Sequence, residues 1–256
     1  MKPSISSILG TYKYISKNTT NKIYVRKWFS NEEFFYELAY FVAKIMGDGH
    51  LSKNLGSCSF SDENQSSIEK LQKLMIKYFG LDKNQFKIRR VEAWGKSWKL
   101  DVFDSLFSRL LYVAGAPKGK KVETPFHIPK WINKNNKYSL VFLQGILEDE
   151  LTTVKIENKN YAVGLQFKMA KMEDLLPKHY LFMRQIKKKL EDLGIECGNL
   201  STIRSNKKAK TWDVYFAIQR NKRNIICFKE NVGFRLESPK KKLLFKTCKI
   251  LQKTLQ

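Results

Sequence analysis

Soft metal ligands are scarce in this chain. Its four cysteines, Cys58, Cys197, Cys227 and Cys248, are scattered over 256 residues and form no C-x-x-C pair. A structural zinc site is therefore not expected, and the thiols read as reduced. Three histidines, His50, His127 and His179, lie far apart, and His50, which follows an acidic motif, reads as a turn or surface residue before a ligand. No apolar run approaches the roughly 20 residues that cross a bilayer. The opening Met1-Lys2-Pro3-Ser4 lacks the apolar segment of a secretory signal. The expected setting is intracellular, a prokaryotic cytoplasm or an organelle, with no membrane partner. Acid is scarce as well: 24 Asp+Glu stand against 48 Lys+Arg, a net charge of +24. That surplus, spread along the chain rather than clustered, points to nucleic acid before an anionic membrane. The length fits one large domain or two smaller ones.

Against this basic background two acid-tipped apolar segments stand out. One is Phe41-Val42-Ala43-Lys44-Ile45-Met46-Gly47-Asp48-Gly49, the other Phe142-Leu143-Gln144-Gly145-Ile146-Leu147-Glu148-Asp149-Glu150. Each has a small residue, Ala43 or Gly145, five positions before an acid, Asp48 or Glu150. The chain also repeats itself. Gly80 matches Gly194, an offset of 194 − 80 = 114. At the same offset Phe86 meets Leu200, Arg90 meets Arg204, Trp98 meets Trp212 and Val102 meets Phe216.

The element pattern repeats with it. Asn31 caps a helix that runs toward Gly47, with Glu32 and Glu33 in its first turn. Strands are expected at 50–53 and 57–61, an amphipathic helix from 65 to its stop at Gly80, strands at 85–91 and 97–103, and a helix at 104–113. The second half reads as a helix at 137–150, strands at 152–157 and 161–169, a helix at 173–193, strands at 200–205 and 211–219, and a helix at 221–232. A last basic helix starts at Ser238-Pro239. The expected fold class is α+β, with two pseudo-symmetric αββαββα halves at 31–118 and 137–256. Residues 119–136, with Pro125 and Pro129, read as a linker. Residues 1–30 form an N-terminal extension, in which 23–29 is open to a strand, a basic-aromatic arm or a packed segment.

These motifs resemble the LAGLIDADG homing endonucleases, in the form with two motif copies on one chain, over about residues 31–250. The stretches around Leu111–Lys121 and Phe228–Lys242 are similar to the segments that close each half. The resemblance implies antiparallel sheets forming a DNA-binding saddle, with the two motif helices packed at the centre on small residues. It implies a monomeric, intron-encoded enzyme that cuts both strands of a long target with two half-sites. The cofactor would be Mg²⁺ (or Mn²⁺), with Ca²⁺ binding but not supporting cleavage. Asp48 and Glu150 would hold the metal, one acid per strand cut, with Gly47 and Asp149 as further metal ligands. Two such carboxylates repel unless a divalent cation neutralises them. Lys120, Lys121, Lys241 and Lys242 are candidates for polarising the phosphate or the water. Asp62 could hold a water near Asp48, or cap a helix.

The sequence departs from the family at Leu151, where Gly usually follows the acid, and at Asp149, where a small residue is usual. An RNA maturase acting on its host intron RNA, or a nuclease-dead DNA binder, is the alternative. An intein origin is not expected from the chain's two ends. Strand alternation puts Lys87, Arg89, Lys99 and Asp101 of one half on the DNA face, with Gln166, Lys168, Ser201, Asp213, Tyr215 and Gln219 of the other. Arg90 and Arg204 have the opposite parity and are expected at phosphates. So are the loop residues Lys53, Lys155, Lys159, Lys207, Lys208 and Lys210.

Overall fold

The first motif helix starts where its capping chemistry requires. Asn31 Oδ1 accepts the Phe34 amide at 2.8 Å, and helix α3 (Glu32–Met46) follows. Its apolar content is high enough to bury nearly every residue from Leu38 to Met46, and it also buries two charged side chains, Glu37 and Lys44. The computed structural model describes residues 2–26, 28–29, 31–92, 97–157, 161–206 and 210–253. Its order is α1 (Ile5–Leu9), α2 (Lys17–Val25), α3, β1 (His50–Leu51), β2 (Cys58–Asp62), α4 (Gln65–Phe79), β3 (Phe86–Val91), β4 (Ser97–Val102), α5 (Ser105–Val113), α6 (Lys130–Asn133) and α7 (Asn136–Glu150). Then come β5 (Lys155–Glu157), β6 (Tyr161–Val163), β7 (Gln166–Met172), α8 (Leu176–Glu191), β8 (Ser201–Arg204), β9 (Thr211–Ala217), α9 (Lys222–Asn231) and α10 (Pro239–Lys253). The chain is α+β with antiparallel sheets, as its periodicities predict.

The chain divides into two compact units, Met1–Gly119 with Pro129–Phe142, and Lys120–Ile128 with Leu143–Gln256. The stretch 119–136, expected as a linker, is folded and shared between them. Phe126 and Ile128 are buried with the second unit, Trp131 and Ile132 with the first. Helix α7 begins in the first unit and ends in the second.

In the first unit the strands order β1-β2-β4-β3, all antiparallel. One face carries Leu51, Cys58, Phe60, Leu100 and Val102, all buried. Phe41 of α3 packs there, its ring 5.6 Å from Phe60, 5.4 Å from Phe79 and 6.0 Å from Phe107. Such edge-on pairs add about 0.5–1.5 kcal/mol each beyond burial. Residues 1–30 belong to this unit as a packed extension, and the strand reading of 23–29 is corrected: α2 is a helix through Val25. Trp28 is buried and its indole N–H donates to Phe79 O at 2.9 Å. Arg26 then grips Asp104 through two bonds of 2.5 and 3.1 Å.

In the second unit β7-β9-β8 form a three-stranded sheet, and β5 and β6 a separate hairpin. The single strand expected at 161–169 is therefore two. Gly164, at φ +103, breaks it, and a Cβ there would lie 2.3 Å from Thr153 O. Leu165 follows at φ +57. The pair of left-handed residues turns the chain from one sheet into the other.

Candidate nucleic-acid interface and acidic turns

Asp48 sits between two glycines, and the second has no room for a side chain. Gly47 ends α3, donating to Ala43 O at 2.9 Å, and the Gly49 amide closes onto Lys44 O at 2.8 Å. A Cβ on Gly49 would stand 2.6 Å from Lys44 O and 2.8 Å from Ile45 Cα. The turn packs its two glycines inward and leaves Asp48 exposed. His50 then starts β1, also exposed.

The second motif ends differently. Glu150 is the last residue of α7, and Leu151 already pairs with Phe167 of β7. Leu51 pairs with Cys58 in the same way in the first unit. Both leucines are buried, at 0% and 1% exposure. Counted back from these pairs, Asp48 lies 51 − 48 = 3 residues before its leucine and Glu150 only 151 − 150 = 1. The passage from motif acid to strand is thus shorter by two residues in the second unit, and it holds no glycine. Leu151 stands where a glycine was expected because the strand begins at once and needs an apolar anchor. Glu148 Oε1 accepts the Leu236 amide at 2.6 Å and that of Arg235 as well. Lys240 Nζ donates to the carbonyls of Glu148 (3.0 Å) and Asp149 (3.2 Å). An ammonium therefore occupies the backbone carbonyl of Asp149, a residue expected to ligate a metal, and it stabilises the negative end of α7.

A buried lysine escaped the sequence reading. Lys171 lies on β7 opposite Trp212, as Asp62 lies on β2 opposite Trp98. The repeated tryptophans therefore set an acid and a lysine at equivalent points of the two sheets. Lys171 is only 1% exposed and faces inward with Phe167 and Met169. Its Nζ donates to Thr124 O at 2.9 Å and to Lys121 O, above the Phe126 ring at 3.2 Å from the centroid. Burial, then the charge of Lys121, lowers its pKa to about 7 against the opposing pull of Glu150. His179, stacked on Phe182 with ring centroids 6.1 Å apart, lies behind it. Burial and the Lys171 charge lower its pKa to about 4, so it is neutral. The signal that could have found Lys171 is its parity: it takes the third inward position of a Phe167-x-Met169-x-Lys171 alternation. Asp62 instead accepts the Asn64 amide at 2.7 Å and the Asn64 side chain at 3.2 Å, a turn that leads into α4, whose N-cap is Asn64 and not Asp62.

The four candidate lysines are placed unequally. Lys120 is exposed and pairs with Glu123 at 2.9 Å, while Lys121 is half-buried above the carbonyl that Lys171 holds. Lys241 pairs with Glu237 at 2.5 Å on α10, and Lys242 is exposed beside it. Among the described residues, no cluster of three or more His, Cys, Asp or Glu side chains is gathered for a metal.

The sheet faces follow the expected alternation. In the first unit Lys87, Arg89, Lys99 and Asp101 share one face with Ser59 and Ser61. Asp101 bridges Arg89 at 2.8 Å and Lys99 at 3.4 Å, setting two cations side by side. In the second unit Gln166, Lys168, Ser201 and Tyr215 share a face with Asp213. Asp213 is buried rather than presented, held by Lys168 at 3.1 Å and Ser205 at 2.8 Å. Ile203 shares this face and is exposed, a position no charge pattern revealed. Arg90 and Arg204 pair in register with Trp98 and Trp212, on the opposite parity. Lys53 is exposed over Gly119, whose missing Cβ would lie 2.9 Å from its Cγ. Lys210 and Gln219 are exposed at the two ends of β9. Lys159, Lys207 and Lys208, and the side chain of Lys155, lie outside the described residues.

No family model matches the chain. It is 30% identical over 216 residues to the tRNA-splicing ligase RtcB of Methanopyrus kandleri, covering 80% of this chain and 21% of that protein. It is 26% identical over 203 residues to the replication factor C small subunit of Methanocaldococcus jannaschii, covering 75% and 11%. The chain thus spans about a fifth and about a tenth of these two relatives. Full-length DUF199/WhiA from Thermatoga maritima superposes with a TM-score of 0.51 at 15% identity, over 88% of this chain and 62% of that one. At that identity the likeness is one of fold. The homing endonuclease I-DmoI in complex with DNA and Ca gives 0.47 at 13% identity, over 86% and 100%. I-WcaI bound to its DNA recognition sequence gives 0.44 at 14%, over 90% and 99%.

Proposed function

We propose that this chain is a site-specific endonuclease that hydrolyses both strands of duplex DNA as a monomer, with Asp48 and Glu150 as the metal-holding carboxylates, one for each strand. The observation that carries this reading is the repeat: in each half a motif helix leads to a carboxylate and then to an antiparallel sheet with a polar outward face, which in the first unit is basic. Oxygen donors of this kind suit Mg²⁺ or Mn²⁺. When bound, a metal at either acid would offset its charge and lower the pKa of a water. The chain's own groups do the rest. Asp48 is presented to solvent by its glycine turn, and the Gly47 carbonyl is the backbone oxygen nearest to it in sequence. Lys120, Lys121, Lys241 and Lys242 offset phosphate charge. Lys171 fixes the 120–128 segment that carries the first pair. Lys87, Arg89 and Lys99, with Gln166, Lys168, Ser201 and Tyr215, read base edges, and Arg90, Arg204, Lys53 and Lys210 hold phosphates.

The sequence matches support the same reading from another side. One segment of about 200 residues is shared with a ligase and a replication factor, proteins of different stated roles. That distribution suits a mobile element that inserts into unrelated hosts, of the intron-encoded kind or within a host reading frame.

Asp48→Asn and Glu150→Gln should each abolish double-strand cleavage of a target selected from a plasmid library in Mg²⁺, while Ca²⁺ supports binding alone. Full cleavage by either variant removes the assignment. The shortened turn at Leu151 and the lysine on the Asp149 carbonyl favour one second reading: a protein of this fold that binds DNA, or its host intron RNA, without cutting. Retarded but intact plasmid from the unmodified chain would select it.

A further inference from the structure

Helix α10 turns Leu244, Thr247, Cys248 and Leu251 inward. Its outward side therefore carries Lys242, Phe245, Lys246 and Lys249, at the three- and four-residue steps that make one stripe. These residues, with Lys241 and Glu237, line a groove of about 540 Å³. Phe245 is 41% exposed. Lys229 of α9 and Lys241 flank its ring at 5.3 and 5.9 Å from the centroid. Lys229 and Lys241 have acidic partners, Glu230 and Glu237. Among the described residues Lys242, Lys246 and Lys249 form no ion pair. None of the groove's residues lies on a sheet, so this surface is separate from the strand faces assigned to duplex DNA.

We propose that this groove is a second nucleic-acid site, specific for single strands, in which Phe245 stacks an unpaired base while Lys246 and Lys249 contact the flanking phosphates. A free phenyl face gains nothing from a duplex, whose bases are already stacked, whereas an unstacked base contributes about 1–3 kcal/mol on such a platform. A membrane is the poorer occupant, because the leucines that would enter it point inward and a single Phe faces out. A protein partner would have to bring acid without an apolar face of its own. Lys241 and Lys242 at the groove's edge also belong to the proposed cleavage machinery, but Phe245, Lys246 and Lys249 do not, and the groove needs no metal.

The test is fluorescence anisotropy in EDTA with labelled 12-mers of oligothymidylate and oligouridylate, beside a 12-mer duplex and anionic vesicles. Phe245→Ala should weaken single-strand binding about 5-fold or more. Lys246→Gln with Lys249→Gln should flatten the log–log salt slope by about 1.4, two phosphate contacts at roughly 0.7 each. Duplex affinity should move less than about two-fold, and melting temperatures should stay unchanged because the substituted side chains are exposed. The two oligonucleotides separate DNA from RNA, and preferential binding of either one over the duplex, lost in the variants, supports the site. Unchanged single-strand binding in both variants overturns it. So does an equal loss for duplex, or a loss confined to vesicles.

Discussion

Replacing Lys171 by Met would remove a charge from one of the least exposed positions of the second unit. The lysine's pKa is lowered from 10.5 to about 7 by burial and by Lys121. That difference, 10.5 − 7 = 3.5, corresponds to about 5 kcal/mol between charged and neutral forms at 1.36 kcal/mol per pKa unit. The sign follows from proton counts. Between pH 7 and 10.5 the unfolded chain holds a proton at this lysine that the folded chain has released, so stability rises with pH across that window and is flat below it. From pH 7 to pH 9 the gain is about 2 kcal/mol, because the folded lysine is still half-protonated at pH 7. The variant lacks this term. It also leaves the carbonyls of Lys121 and Thr124 without their donor, at about 1–3 kcal/mol each. That second cost hardly depends on pH, since a neutral amine still offers two N–H donors. Urea unfolding of both proteins at half-unit steps from pH 7 to 9 therefore reads the first term alone. Wild type minus Lys171→Met should climb by about 2 kcal/mol, whereas a difference that stays level within about 0.5 kcal/mol would refute the buried-amine account.

Leu151→Gly places a glycine after the acid, as in the first motif, yet it empties a buried strand anchor. It should cost about 3–5 kcal/mol in urea unfolding without raising the fraction of second-strand cuts in a plasmid nicking assay. Gly49→Ala would force a Cβ to within 2.6 Å of Lys44 O. It should lower Tm by several degrees and, under the proposed function, slow cleavage more than it weakens DNA binding. Burial pushes the Asp104 carboxyl up, but Arg26, the Phe107 amide and Gln85 more than offset this and leave its pKa lowered. Asp104→Ala should therefore cost about 3–5 kcal/mol by stranding Arg26. The stability it supplies should fade as pH falls below the ordinary carboxylate range, which acid titration of the two proteins would show.

Much of the fold could be read along the chain because short-range physics wrote it. Asn31, Asp104 and Asn221 each cap the helix they precede. Gly80, at φ +62, ends α4 as a left-handed stop. The matched Trp98 and Trp212 proved to be true equivalents, each set opposite its arginine. What escaped the reading depended on partners distant in sequence. The proline-bearing stretch 119–136 has the composition of a linker, and only the apolar surface waiting for Phe126, Ile128, Trp131 and Ile132 makes it structure. The 161–169 run has strand composition throughout, and the crowding of Gly164 against Thr153 O splits it.

The amino-acid sequence alone determined the basic charge, the two acid-tipped helices and the alternation of the strands, because composition, capping and periodicity are local properties. Tertiary structure decided that the two acids are not equivalent. Strand pairing sets Leu151 two residues closer to its acid than Leu51, and it carries Lys171 into the interior opposite Trp212. Register is fixed by pairing across the sheet, which no short stretch of sequence specifies.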